Sequence, residues 1–136
     1  MDTWSKIETI EKMQNYIEKH ILEPISLHML AKEAGYSPWY TARIFKELTG
    51  KAPFLYIRLL RLNMAAEKLR DDNIKVNHAA FDFVFDSYEG FTRAFSKQFG
   101  ITPKQYSKTK PEIKFFIPEE IRGYYLEIKK EWIIYG

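Results

Sequence analysis

The chain has 136 residues, 46% of them hydrophobic, a formal net charge of +3 and no cysteine. That length supplies a core for one domain or two small lobes. The missing cysteine excludes a disulfide framework, a thiolate zinc site and a cysteine nucleophile. No uncharged run approaches the roughly 18 apolar residues of a membrane span, and nothing near Met1 resembles a signal peptide. The sequence therefore reads as a soluble, cytoplasmic protein with no membrane partner. Its charge is uneven: residues 1–111 carry 17 Lys and Arg against 13 Asp and Glu, while 112–136 carry 4 against 5. A mild basic excess on the first portion suits a polyanion.

Ile7, Ile10, Met13, Ile17 and Ile21 recur at steps of three and four, predicting a helix over about 4–22 that Pro24 stops. Ser26 is placed to cap a short helix over 27–34, and Gly35 to end it in the left-handed conformation. Ser37-Pro38 opens another helix to about Leu48, which buries Ile44, Phe45 and Leu48 and ends at Gly50. Two helices joined around a glycine make a helix-turn-helix.

Pro53 begins a long helix to about Arg70. Leu55, Leu59, Leu62, Ala66 and Leu69 form one apolar stripe and Ile57, Leu60 and Met64 a second, which suggests packing on two sides. Its remaining face carries Arg58, Arg61 and Lys68, a charged edge with a phosphate-contact reading beside it. After the polar turn Asp71-Asp72-Asn73, a second pair follows over about 75–83 and 87–99. Thr102-Pro103 then caps a last short helix through Lys108. The pair repeats the first one: Ser37, Arg43, Phe45, Gly50, Pro53 and Tyr56 recur fifty residues on as Ser87, Arg93, Phe95, Gly100, Pro103 and Tyr106. Two copies mark a duplicated module, not a solenoid. The expected fold is all-α: a first helix-turn-helix lobe (1–51), a connector helix (52–71), a second lobe (72–109) and a tail (110–136). In the tail, Ile113 to Ile117 suit extended chain. Residues 121–135 fit a helix opened by Pro118 and equally a hairpin; the helix is favoured. This tail is apolar, exposed by chain order, and open to self-association.

Catalysis finds no support. His20, His28 and His78 fall on three different predicted helices, and no metal-ligand cluster, phosphate loop or cofactor motif is present. Nucleic acid accounts for more. The second helix of a helix-turn-helix enters the major groove by its N-terminal half, where the first copy offers Trp39, Tyr40, Ala42 and Arg43, and the second Tyr88, Glu89, Gly90, Thr92 and Arg93. Arginine matches guanine O6 and N7 with two donors, so Arg43 and Arg93 are the expected readers. Lys46 and Lys97, with Arg58 and Arg61, are candidates for phosphates, as are the helix starts at Ser26, Ser37 and Ser87. Trp39 and Tyr88 read equally as aromatics covering the turn. Glu89 suits cytosine N4 or the helix dipole. Gly90 inside a helix costs roughly 1 kcal/mol against alanine, which suggests close approach of backbone to DNA.

At these residues the chain resembles the DNA-binding domain of the AraC/XylS family of bacterial transcription regulators. GYSPWYTARIFKELTG (35–50) is similar to the family's first recognition helix and its flanks, and FDSYEGFTRAFSKQFGITPKQY (85–106) to its C-terminal signature. The resemblance covers about residues 4–108. It implies two homeodomain-like helix-turn-helix lobes on one connector helix, binding successive major grooves of double-stranded DNA. Its usual role is activation, with RNA polymerase as a partner. The tail resembles the linker that leads, in some members, to a GyrI-like effector domain, so the chain is expected to be part of a longer regulator. Two positions depart from the family. Phe81 stands where the family is usually polar, and is expected to offer a contact surface. Val84 stands where it usually has glycine. The expectation is that Val84 adopts a right-handed or extended geometry, or that Val84→Gly stabilises by about 1 kcal/mol.

Overall fold

The computed structural model describes residues 2–122. Seven helices are found there: α1 (Thr3–Lys19), α2 (Leu27–Ala34), α3 (Pro38–Thr49), α4 (Pro53–Asp71), α5 (Val76–Asp82), α6 (Tyr88–Phe99) and α7 (Pro103–Thr109). No strand occurs among the described residues. The expected helix or hairpin beyond residue 122 lies outside them. Within them the chain divides into two compact units, one of residues 2–18, 26–53 and 117–122, the other of 19–25 and 54–116.

The local signals act as the chain order suggests. The hydroxyls of Ser26, Ser37, Ser87 and Thr102 accept the amide N–H of Met29, Tyr40, Gly90 and Gln105 at 3.0–3.2 Å. Each satisfies one of the four donors that a helix start leaves unpaired. At the other ends, Gly35, Gly50 and Gly100 are left-handed, with φ of 78°, 77° and 73°.

In the first unit Ile7, Ile10, Met13 and Ile17 of α1 are fully buried, as are Leu30, Ile44 and Phe45 within 1%. Lys6 Nζ reaches Glu47 Oε1 at 3.3 Å, tying α1 to α3. Arg122 returns to α1, donating to Glu11 Oε1 at 2.7 Å with its guanidinium 5.5 Å from the Trp4 ring. Ile121 beside it is buried, so the tail there is spent on the chain's own core. Thr41, on the buried face of α3, has its hydroxyl shielded with no hydrogen-bond partner among the described residues. A buried unpaired hydroxyl is a desolvation cost. Thr41→Val keeps the shape and removes that hydroxyl, and is expected to raise stability by about 0.5 kcal/mol, read as the midpoint of a denaturant melt.

In the second unit Leu62, Ala65, Ala66 and Leu69 of α4 pack with Ala79, Ala80 and Phe83, and with Phe91, Phe95 and Tyr106. A chain of rings runs through it: Phe85–Phe91 at 5.1 Å, Phe91–Phe95 at 5.7 Å, Phe95–Phe99 at 4.7 Å and Phe99–Phe115 at 6.0 Å. Such edge-to-face pairs add about 0.5–1.5 kcal/mol each beyond the area they bury. Residues 112–116 belong to no helix or strand. The Asn63 amide clasps Phe116 from both sides, donating to its carbonyl at 2.7 Å and accepting its N–H at 3.1 Å.

Three expectations change. The first helix stops at Lys19, three residues short, because the carbonyls of Ile21 and Glu23 turn to the Arg61 guanidinium at 2.9 and 2.7 Å. Leu55 is exposed, and Tyr56 and Ile57 are the buried residues beside it, Tyr56 edge-on to Phe116 at 5.7 Å. Val84 is neither right-handed nor extended: its φ is 65°. The N–H of Phe85 reaches back to the carbonyl of Ala80 at 2.9 Å, closing the end of α5 as Tyr36 and Ala31 close α2 at 3.2 Å. This six-residue closure requires a left-handed residue between helix and donor. It also drops Phe85 onto Phe91, and that burial holds valine where glycine would sit without strain.

Candidate nucleic-acid interface

The second helix of each pair presents its N-terminal half outward. On α3, Trp39 is 67% exposed and the Arg43 guanidinium lies 5.4 Å from its ring centre. Residues four apart share a helix face, so tryptophan and arginine are held as one stacked, solvent-facing unit. Such a stack stabilises by about 0.5–1 kcal/mol where exposed, and it narrows the search of a long side chain before contact. Tyr40 is half-buried against Tyr36 at 5.3 Å and Ala42 is half-buried; Lys46, one turn on, is exposed.

On α6, Glu89 and Arg93 are exposed and Tyr88 is 38% exposed. Thr92 is half-buried, and its Oγ1 is shielded from solvent with no hydrogen-bond partner among the described residues. Gly90 has a reason inside the chain: a Cβ there would meet Ser87 Oγ at 3.0 Å, so glycine makes room for the cap. Ser37 has φ −63° and tolerates Tyr40 at the equivalent place, whereas Ser87 has φ −152°.

Within the second unit, Arg58, Ser87, Gly90, Arg93 and Lys97 border one hollow of about 370 Å³. Residues from α4 and α6 meet there, which the sequence did not place together. Asp86 borders the same hollow. It was missed, although its position just before the capping serine is a visible signal. Arg61, expected at a phosphate, is half-buried and gives two of its five N–H donors to the carbonyls of Ile21 and Glu23; burial lowers its pKa. The hydroxyls of Ser26, Ser37 and Ser87 are likewise engaged as caps, leaving backbone amides of the first turns as the donors at those sites. Phe81 is 67% exposed on α5, as its departure from the family suggested.

Two helix pairs, each with a capped second helix bearing an outward arginine, define a double helix-turn-helix protein. Residues 30–109 match the family model described as a helix-turn-helix domain, and the chain belongs to the AraC/XylS-type helix-turn-helix family. It is 40% identical over 107 residues to the transcriptional regulator Rob of Salmonella typhimurium, covering 79% of this chain and 37% of Rob. It is 36% identical over 97 residues to the regulatory protein SoxS of Escherichia coli, covering 71% of this chain and 91% of SoxS. The chain thus spans little more than a third of Rob and nearly all of SoxS. Among solved structures it is similar to the DNA-binding domain of AdpA, crystallised with a target DNA. That match has a TM-score of 0.68 and 25% identity, over 73% of this chain and 89% of that one. The C-terminal domain of the response regulator AraT from Geobacillus stearothermophilus gives a TM-score of 0.70 at 25% identity, over 82% and 93%. Among the described residues no helix is long and apolar enough to cross a membrane, and no three metal-binding side chains gather.

Proposed function

We propose that the chain is a sequence-specific, double-stranded-DNA-binding transcription regulator of the bacterial cytoplasm, with α3 and α6 as its two reading helices and no catalytic activity. The observation that carries the reading is the paired placement of Arg43 and Arg93. Each stands six residues after a capping serine, on the exposed side of a second helix-turn-helix helix. That position delivers a guanidinium to base edges when the helix enters a major groove. The similarity to Rob and SoxS, both regulators by name, supports it, as does the AdpA domain bound to its target. Base contacts are assigned to Trp39, Arg43, Tyr88, Glu89 and Arg93, with Tyr40, Ala42 and Gly90 giving shape, and phosphate contacts to Arg58, Lys46 and Lys97. Activation through RNA polymerase is the expected mode in a promoter assay. Self-association through 112–136 is a further part of the proposal; among the described residues there, Ile113, Phe115 and Phe116 are half-buried and Ile117 is exposed.

Selection from randomised duplexes at fixed salt tests the assignment. The expected product is an asymmetric site with two short blocks about one helical turn apart. A pool that shows no enrichment after repeated rounds would overturn it.

A further inference from the structure

The helix α6 has a second hollow on its other flank. It is an open groove of about 560 Å³ in the same unit, bordered by Lys75 at the start of α5, by Lys104 and Lys108 of α7, and by Tyr88 of α6 itself. Among the described residues no carboxylate borders it. All three lysines are exposed, and none takes part in the ion pairs found there. Asn77 and Ser107 add neutral donors between them. Lys104 and Lys108 stand four residues apart on one face of α7, where like charges repel unless something anionic lies across them. By contrast, Lys68 is paired with Asp72, and Arg70 with Asp71.

We propose that this groove seats the sugar-phosphate backbone of one DNA strand, so that α6 is held in its major groove by cations on both sides: Lys75, Lys104 and Lys108 on the Tyr88 flank, Arg58 and Lys97 on the Arg93 flank. The inference rests on α6 being a reading helix. A major groove is about 12 Å wide and a helix with its side chains about 10–12 Å across, so a helix lying in it has a phosphate strand along each side. One flank had candidate phosphate ligands from sequence; the groove supplies the other. Lysine on a flexible stem suits this work, because it neutralises phosphate as a point charge without asking for a fixed geometry. Such contacts fix register and carry no base information.

The test uses the full chain and fluorescence anisotropy on its selected duplex and on a random duplex, over a range of salt. Each phosphate neutralised contributes about 0.9 to the slope of log affinity against log salt. The triple substitution Lys75→Gln, Lys104→Gln, Lys108→Gln is expected to flatten that slope by about 2–3 and to weaken both duplexes alike, by about tenfold or more at 0.1 M salt. A matched triple, Lys12→Gln, Lys19→Gln, Lys114→Gln, removes the same charge from exposed lysines that do not border the groove, and is expected to leave the slope within about one unit of the wild type. Replacing the three groove lysines by arginine should restore it. Circular dichroism melts confirm that each variant is folded. Equal flattening in both glutamine triples would reduce the effect to net charge and overturn the proposal. An unchanged slope in the groove variant would overturn it too, and would point to an acidic protein segment as the groove's occupant while DNA reading by α6 stood. A wild-type chain with no salt-dependent duplex binding would remove the underlying reading itself.

Discussion

Arg43→Ala and Arg93→Ala each lower affinity for the selected duplex by about 1–3 kcal/mol and relax base preference at one site each. Affinity for random duplex changes far less. The reason lies in what a guanidinium does at a base edge: two fixed donors meet two acceptors, and the wrong base leaves a buried donor unpaired. Lys97→Ala, beside Arg93 in the same hollow, weakens all sequences alike, since a phosphate looks the same everywhere. The first copy carries an added signature. With the Arg43 guanidinium 5.4 Å from the Trp39 ring, Trp39→Phe is expected to lose part of the Arg43 contribution, and the two substitutions should be non-additive in a double-mutant cycle. Equal losses on selected and random duplexes for the two arginine variants would convert both residues into phosphate ligands and remove the basis for sequence reading.

Val84→Gly is expected to stabilise the fold by about 1 kcal/mol. A left-handed residue with a Cβ costs roughly 1–2 kcal/mol, and valine branches at Cβ. Glycine removes that strain but brings back about 0.5–1 kcal/mol of unfolded-state entropy. The strain term is the larger at φ 65°. The closure from Phe85 to Ala80 and the seat of Phe85 on Phe91 are made by other residues and persist in the variant. Denaturant melts give the sign directly: a neutral or lowered midpoint means that the Val84 side chain earns more by its packing than its backbone loses.

The connector helix α4 shows how far a linear reading reaches. The periodicity of α4 was visible, and its ends at Pro53 and Asp71 fall within a residue of expectation. Which of its polar residues were free was not. Asn63 finds Phe116 from 53 residues away, and Arg61 finds Glu23 from 38. No local pattern announces a partner at that distance. The same holds for the three lysines of the groove, scattered over α5 and α7 and unremarkable until folding lines them along one hollow.

What the sequence determined by itself were features whose cause lies within about a turn of chain: the seven helices of the described residues, the serine and threonine caps of four, the left-handed glycine ends of three, and the duplicated arginines on exposed faces. Those follow from hydrogen bonds and apolar spacing between near neighbours, which the local order of residues dictates. Only the tertiary structure decided that Val84 stays left-handed, that Arg61 is occupied, that the Thr92 hydroxyl is covered and that Lys75, Lys104 and Lys108 meet. For Val84 the packing of the Phe85 ring outweighs the local preference, and for Arg61 the capture of two carbonyls does; the lysines stay exposed and are brought together by the path of the chain through α5 and α7.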